Sequence, residues 1–379
     1  MTITFLVGNG FDIAAGINTS YSGFYDWYIN QSPRTEDEHG AIKNFKEEID
    51  KYMRIKDPAE RQKSRWADFE IGLGQYTDKF TKETVDDFLE LYEDAHEGLC
   101  TYLENECSKF DNDIADPDTI AGLKDGIAHF YQELKPTERD SVANLLIGDR
   151  AHDTVVKFIS FNYTDSLDAV AKVLSKTPLQ TWEYGGATRK MIAQSSVLHA
   201  HGTTSNAPIL GVFDDSQVAN KELLNCPGIR QALIKSRSVQ TAGERWYSEA
   251  DQQIDNSQII CIWGMSLGIT DARWWKKIVS WLRANPAHQV VVFWHMGNPP
   301  SGRSFVNTYM VKRDVVRLLC AFSKLAETDI ESLENRIHVV INTDKVLKVS
   351  FDRVLIPASD EELRSFILGS FGTKEHATV

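Results

Sequence analysis

Four polar residues able to act on a ligand each stand directly after an apolar run. Asn9 lies in Gly8-Asn9-Gly10-Phe11-Asp12, after Thr2-Ile3-Thr4-Phe5-Leu6-Val7. Asn162 follows Val155-Val156-Lys157-Phe158-Ile159-Ser160-Phe161. His201 closes the run Ser196 to Ala200, and Ser266 follows Ser257 to Trp263. Short β-branched apolar runs of this kind form buried parallel strands. Ligands of open α/β sheets bind in the crevice outside the carboxyl ends of such strands, so the four signatures converge on one edge. The first of them, a strand, a glycine turn and a helix start, suits an anion, because the N–H groups of a helix N-terminus are unpaired. Its spacing is not that of a dinucleotide fingerprint. The third glycine position holds Ile13, the next glycine is Gly16, and Asp12 puts a carboxylate where a pyrophosphate would lie. A strand-to-helix turn without a ligand is the plain alternative.

Each candidate has two readings. His201 is a base that titrates near neutrality, or a core histidine beside His199. Asn162 offers an amide that donates and accepts, or it closes the turn after its strand. Asp12 takes ribose hydroxyls or caps the helix. Asp68 and Glu70 are two residues apart and cannot share a helix face, so Glu70 is expected to face the pocket. Asp271 is expected to cap the helix starting at Ala272. The aromatics Phe24, Tyr25, Trp27 and Tyr28 floor a pocket or join the core. His199 and His201 lack the spacing of a helical metal pair, and no metal is expected.

Positioning these residues requires alternating strands and helices. Strands are predicted at 154–161, 196–200, 209–212, 257–263, 289–294 and 337–341, with helices at 164–175, 272–284 and 305–326. This alternation predicts an α/β fold with a mostly parallel Rossmann-like sheet covered by helices on both faces. Between about 66 and 148 only helical periodicity appears, broken near Ala115-Asp116-Pro117 and at Lys135-Pro136, where Thr137 and Glu138 are capping candidates. The expected organisation is an α/β domain from 1–30 and 150–350, a helical insertion at 31–149 and a C-terminal extension at 351–379, loose after Lys374.

Composition narrows the function. The 379 residues carry a net charge of −13, from 41 basic and 54 acidic residues, which argues against a broad nucleic-acid surface. Cys100, Cys107, Cys226, Cys261 and Cys320 are scattered, with no Cys-x-x-Cys pair, so a reducing cytoplasm is expected. No basic region precedes an apolar run at the N-terminus, and no run approaches the roughly 20 residues that span a bilayer.

The ordered motifs resemble a family. Gly8-Asn9-Gly10-Phe11-Asp12, Gly16-Ile17, Thr19-Ser20-Tyr21 and Phe24 come first, then Trp66-x-Asp68-Phe69-Glu70 and Phe161-Asn162-Tyr163-Thr164. His201-Gly202 and Gly264-x-Ser266-Leu267-Gly268-x-x-Asp271 complete the set. Together they are similar to the AbiH family of bacterial abortive-infection proteins, which act against bacteriophage. That family in turn resembles sirtuin-like NAD-binding domains, with Gly8-Asn9-Gly10, Asn162, His201-Gly202 and Gly264-Met265-Ser266-Leu267 at four corresponding motifs. The resemblance implies that His201 and Asn162 are catalytic, Asn162 beside the nicotinamide ribose and His201 on its hydroxyls. It implies a nucleotide pocket formed by Gly8, Asn9, Gly10, Phe11, Asp12, Tyr21, Phe24, Thr164, Gly202, Gly264, Ser266 and Leu267. Gly264 and Ser266 would hold the adenosine-side ribose and phosphate.

Two departures shape the expected activity. Thr164 stands where sirtuins carry an aspartate, with Asp165 one further on, and the zinc cysteines of the deacylases are missing. The expectation is hydrolysis of NAD to nicotinamide and ADP-ribose, held silent until a phage-derived trigger or homo-oligomeric assembly releases it. The rival is a nucleotide sensor that signals to a partner without turnover. A nuclease is disfavoured by the charge and by the lack of an acidic metal motif.

Overall fold

A computed structural model of the chain describes residues 1–353 except 112, 113, 207, 302 and 350. Nine strands occur among these residues: β1 (Thr2–Val7), β2 (Phe110–Asp111), β3 (Thr154–Ser160), β4 (Gln180–Tyr184), β5 (Ala187–His199), β6 (Ile259–Trp263), β7 (Gln289–Trp294), β8 (Ile337–Ile341) and β9 (Asp352–Arg353). Seven form one sheet in the order β4-β5-β3-β1-β6-β7-β8, and β2 pairs with β9 separately. Every neighbour pair from β5 to β8 is parallel, and only β4 runs antiparallel, on β5. The chain builds outward from β1 through β3 to β5, then crosses back to lay β6, β7 and β8 on the other side. The sequence-level expectation of a mostly parallel α/β sheet is met.

Side chains alternate across a strand, so one strand feeds two cores. Ile3, Phe5 and Val7 of β1 join Ile259, Cys261 and Trp263 of β6 in one cluster, with Leu123, Phe130, Val142 and Val170 from the helices covering that face. Leu6, Ile260 and Ile262 point the other way, onto Ile254, Trp274, Trp275 and Leu319. A third cluster joins Phe24, Phe45, Phe69, Phe88 and Leu99 to Leu210, Leu223 and Leu233. The residues between β1 and β3 therefore divide between two cores. Those around 117–142 cover the sheet, while those from 24 to 103 pack with the 210–234 segment.

Several elements differ from the sequence-level expectation. The 196–200 strand is the end of the thirteen-residue β5, which forms a hairpin with β4. Its turn is Gly185-Gly186, both with positive φ, the pair that a tight hairpin requires. Most of β4 is exposed and carries no apolar run. Residues 209–212 form no strand; Val212 makes one isolated bridge with Ile234. Gly211 passes so close to Leu233 that a Cβ there would sit 2.3 Å from its carbonyl oxygen. The helix expected over 305–326 ends as Phe305–Cys320, with a 3-10 turn after it. In the helix Pro136–Gly148 the N-cap is Lys135, and Glu138 takes the Lys135 N–H at 3.2 Å, which leaves Thr137 inside the first turn. Nearly all of the expected 351–379 extension lies outside the described residues.

Candidate functional site

The crossing of the chain at β1 leaves a crevice beyond the carboxyl ends of β3, β1 and β6. A cavity of about 370 Å³ lies there, lined by Gly8, Asn9, Gly10 and Asp12 after β1 and by Asn162, Tyr163 and Thr164 after β3. His201 after β5, and Gly264, Ser266 and Asp271 after β6, close it from the sheet side. The third cluster supplies the far wall through Tyr21, Asp68, Glu70 and Leu103. The convergence expected from four strand ends is observed.

Two glycine turns make the floor by backbone contact. Gly10 N donates to Gly264 O at 2.9 Å, and Gly8 N donates to Trp263 O at 2.9 Å. A Cβ on Gly10 would lie 2.6 Å from Gly264 Cα, so neither turn has room for a side chain. Phe11 N donates to Gly8 O. Of the two readings of this helix start, the strand-to-helix turn is favoured: two of its N–H groups are already used, and the helix Gly10–Ala14 is only five residues long.

Asp12 does not cap that helix. Its fully buried carboxylate accepts from Asn162 Nδ2 at 3.2 Å, from Thr164 Oγ1 at 2.8 Å and from Ser166 Oγ. Burial pushes Asp12 up to about 6, although these donors work against the rise. A carboxylate can only accept, so it fixes the Asn162 amide with its nitrogen toward Asp12. Asn162 Oδ1 is left buried, with no hydrogen-bond partner among the described residues.

A compact ionic group faces this amide. Lys235 Nζ lies 2.9 Å from Glu70 Oε2 and 3.2 Å from Asp271 Oδ1, with the ammonium and Glu70 both buried. Asp271 precedes its helix without capping it, contrary to the sequence-level reading, because its side chain is drawn to Lys235. Asp68, two residues before Glu70, is the N-cap of the helix Phe69–Tyr76, with Ile71 N at 3.1 Å. A cap lies off the helical face, which lets both Asp68 and Glu70 line the cavity. Burial pushes Glu70 up to about 7 against the opposing pull of Lys235. Burial also works against the Asp271 charge, but the Lys235 ammonium beside it holds it well below the usual carboxylate range. His201 Nε2 sits 3.2 Å from the same Asp271 oxygen, yet makes no aligned hydrogen bond. Burial, reinforced by Lys235, lowers its proton affinity below that of an ordinary histidine.

Of the residues singled out from the sequence, Gly8, Asn9, Gly10, Asp12, Tyr21, Asn162, Thr164, His201, Gly264 and Ser266 line this cavity. Four others do not. Phe11 packs on Trp263 in the sheet core, and Phe24 stacks on Tyr28 at 5.1 Å in the helical core. Leu267 is buried behind the turn with φ 55°, and Gly202 lines a separate cavity with His199. His199 is paired with Asp168 at 2.8 Å. Lys235 was not legible in the sequence, since Lys235-Ser236-Arg237-Ser238 reads as a surface segment. Among the described residues no cluster of three or more His, Cys, Asp or Glu is placed to hold a metal, and no helix is long and apolar enough to cross a membrane.

Fold and site together define an α/β protein with a polar pocket at the carboxyl edge of a mostly parallel sheet. The family described as bacteriophage abortive infection AbiH matches residues 4–294, and the chain belongs to that family. Its membership implies a role in abortive infection of phage-attacked bacteria. Comparison with the curated proteins finds no match.

Proposed function

We propose that this pocket binds NAD in the cytoplasm and that the protein hydrolyses the nicotinamide–ribose bond as an effector of abortive infection. The observation that carries the reading is the buried Asn162 Oδ1, which has no partner among the described residues and lies on the cavity wall with His201, whose Nε2 has Asp271 Oδ1 at 3.2 Å. Buried polar atoms are almost always paired, so this orphan acceptor calls for a ligand that donates. Ribose hydroxyls donate. Acidic side chains outnumber basic ones in the lining, with Asp12, Asp68, Glu70 and Asp271 against Lys235, a balance that suits a cationic nicotinamide ring better than an added anion. The six parallel strands run in sequence order 3-2-1-4-5-6, the order of doubly wound dinucleotide-binding sheets. For the diphosphate, the turn after β6 combines Gly264 and Leu267, both left-handed, with backbone N–H groups at Met265 and Ser266 that have no partner among the described residues.

In the proposed reaction the C1′–N bond breaks with its electrons going to nicotinamide, which leaves neutral and needs no acid. A water oxygen bonds to C1′, and His201 Nε2 takes its proton. Asn162 orients the ribose. The second reading, a sensor without turnover, is favoured by Thr164, whose hydroxyl is committed to Asp12. Incubation with NAD, followed by chromatography of nicotinamide and ADP-ribose, tests both. Products that vanish in His201→Ala and Asn162→Ala support the hydrolase. NAD binding without product supports the sensor, and no binding of NAD or ADP-ribose in any assembly state removes both.

A further inference from the structure

Lys235 is 3 % exposed and carries its charge into the wall of the pocket. Burying an ammonium is unfavourable unless it is paired, and here both partners come from distant segments. Glu70 lies on Phe69–Tyr76, Lys235 begins Lys235–Thr241, and Asp271 stands just before Ala272–Ala284. Glu70 is held from its other oxygen by Tyr163 Oη at 3.3 Å and Gly211 N at 3.4 Å. The decisive feature lies at Asp271 Oδ1. Lys235 Nζ and His201 Nε2 are both 3.2 Å from that single oxygen, but only the lysine makes an aligned hydrogen bond.

We propose that Lys235 is a positioning residue for His201: it joins Glu70 and Asp271 across the pocket wall and withholds Asp271 Oδ1 from the imidazole. An oxygen committed to an ammonium is a poor partner for an imidazolium, so His201 stays neutral and its Nε2 lone pair stays available. The other groups facing this cluster are Tyr163 from the end of β3, Tyr21 from Tyr21–Tyr28, Asp68 beside Glu70, and Tyr247 from Trp246–Asp255. Arg273, beside Tyr247, is the other cation at this end and is paired with Asp251 at 2.6 Å, so Lys235 is the cation that adds to burial in keeping the proton off His201. Without it, Asp271 would turn wholly to the imidazole.

The role rests on the reading of His201 as the proton acceptor, but its test observes His201 itself. The His201 ring signal, assigned by its loss in His201→Gln, is titrated by NMR in ligand-free full-length protein. Lys235→Met should raise the proton affinity of His201 tenfold or more, and Lys235→Arg, which keeps the charge, should change it less than threefold. An unchanged titration in folded Lys235→Met overturns the proposal. If that variant does not fold, Lys235→Met/Glu70→Gln removes one stranded carboxylate and is read the same way. Wild-type His201 titrating at or above the ordinary histidine value also overturns it. Absence of NAD cleavage alongside the expected shift would defeat the hydrolase alone.

Discussion

At the scale of single residues, the wiring of the pocket leaves Asn162 Oδ1 buried with no partner among the described residues. Asp12 has no freedom to serve a ligand, because three donors already occupy it. Its contribution is to aim Asn162. Its raised proton affinity has a thermodynamic consequence of definite sign. The folded state holds the proton more tightly than the unfolded chain, from 3.8 up to about 6. The stabilisation is therefore complete below pH 3.8 and is lost as pH rises through about 6. Linkage puts the loss at roughly 3 kcal/mol. Urea unfolding of wild type should show this fall between pH 4 and 6, and Asp12→Asn should flatten it. An equally steep fall in the variant would assign the effect to another group.

At the scale of elements, two features hold the pocket in shape. The first is the contact between the glycine turns after β1 and β6. Gly264 has φ 66°, and a Cβ there would lie 2.9 Å from Phe11 N. Gly264→Ala should cost about 1–3 kcal/mol from the backbone conformation alone, with more from the clash, read as a lowered denaturant midpoint. Ligand binding should weaken as the floor opens. The second is the helix Ala272–Ala284, whose Trp275 is fully buried and donates from Nε1 to Gly268 O at 2.8 Å. This bond ties the turn after β6 to the core. Trp275→Ala should cost about 3–5 kcal/mol, while Trp275→Phe keeps most of the packing and loses the tie. Unfolding curves should rank the two variants in that order.

At the scale of the whole molecule, charge and topology act together. A net charge of −13 gives little attraction for a phosphate backbone. Filter binding to duplex DNA at low salt should therefore detect no retention. A small nucleotide bound in the pocket, as proposed, would act differently. By mass action it stabilises the folded chain by about 2.7 kcal/mol at a hundred times its Kd. NAD or ADP-ribose should raise the melting temperature of wild type and fail to do so in Asn162→Ala.

The sequence by itself determined the sheet and the edge where its polar residues meet. Apolar β-branched runs cannot remain in water, and each of the four ended at a residue that its strand had to carry to the same rim. Asn162, His201, Gly264 and Ser266 were legible for this reason, because local pattern dictates strand position and strand position dictates the crevice. The hairpin of β4 and β5 was less legible, since an exposed strand leaves no apolar run and only Gly185-Gly186 marked it. The tertiary structure alone decided the wiring. That Asp12 serves Asn162, that Asp271 abandons its cap, that Lys235 is buried between Glu70 and Asp271, and that Phe11 and Phe24 pack in cores behind the pocket all depend on packing between distant segments. Hydrogen-bond partners are set by proximity in space and by the cost of burying unpaired charge, and neither leaves a periodic trace along the chain.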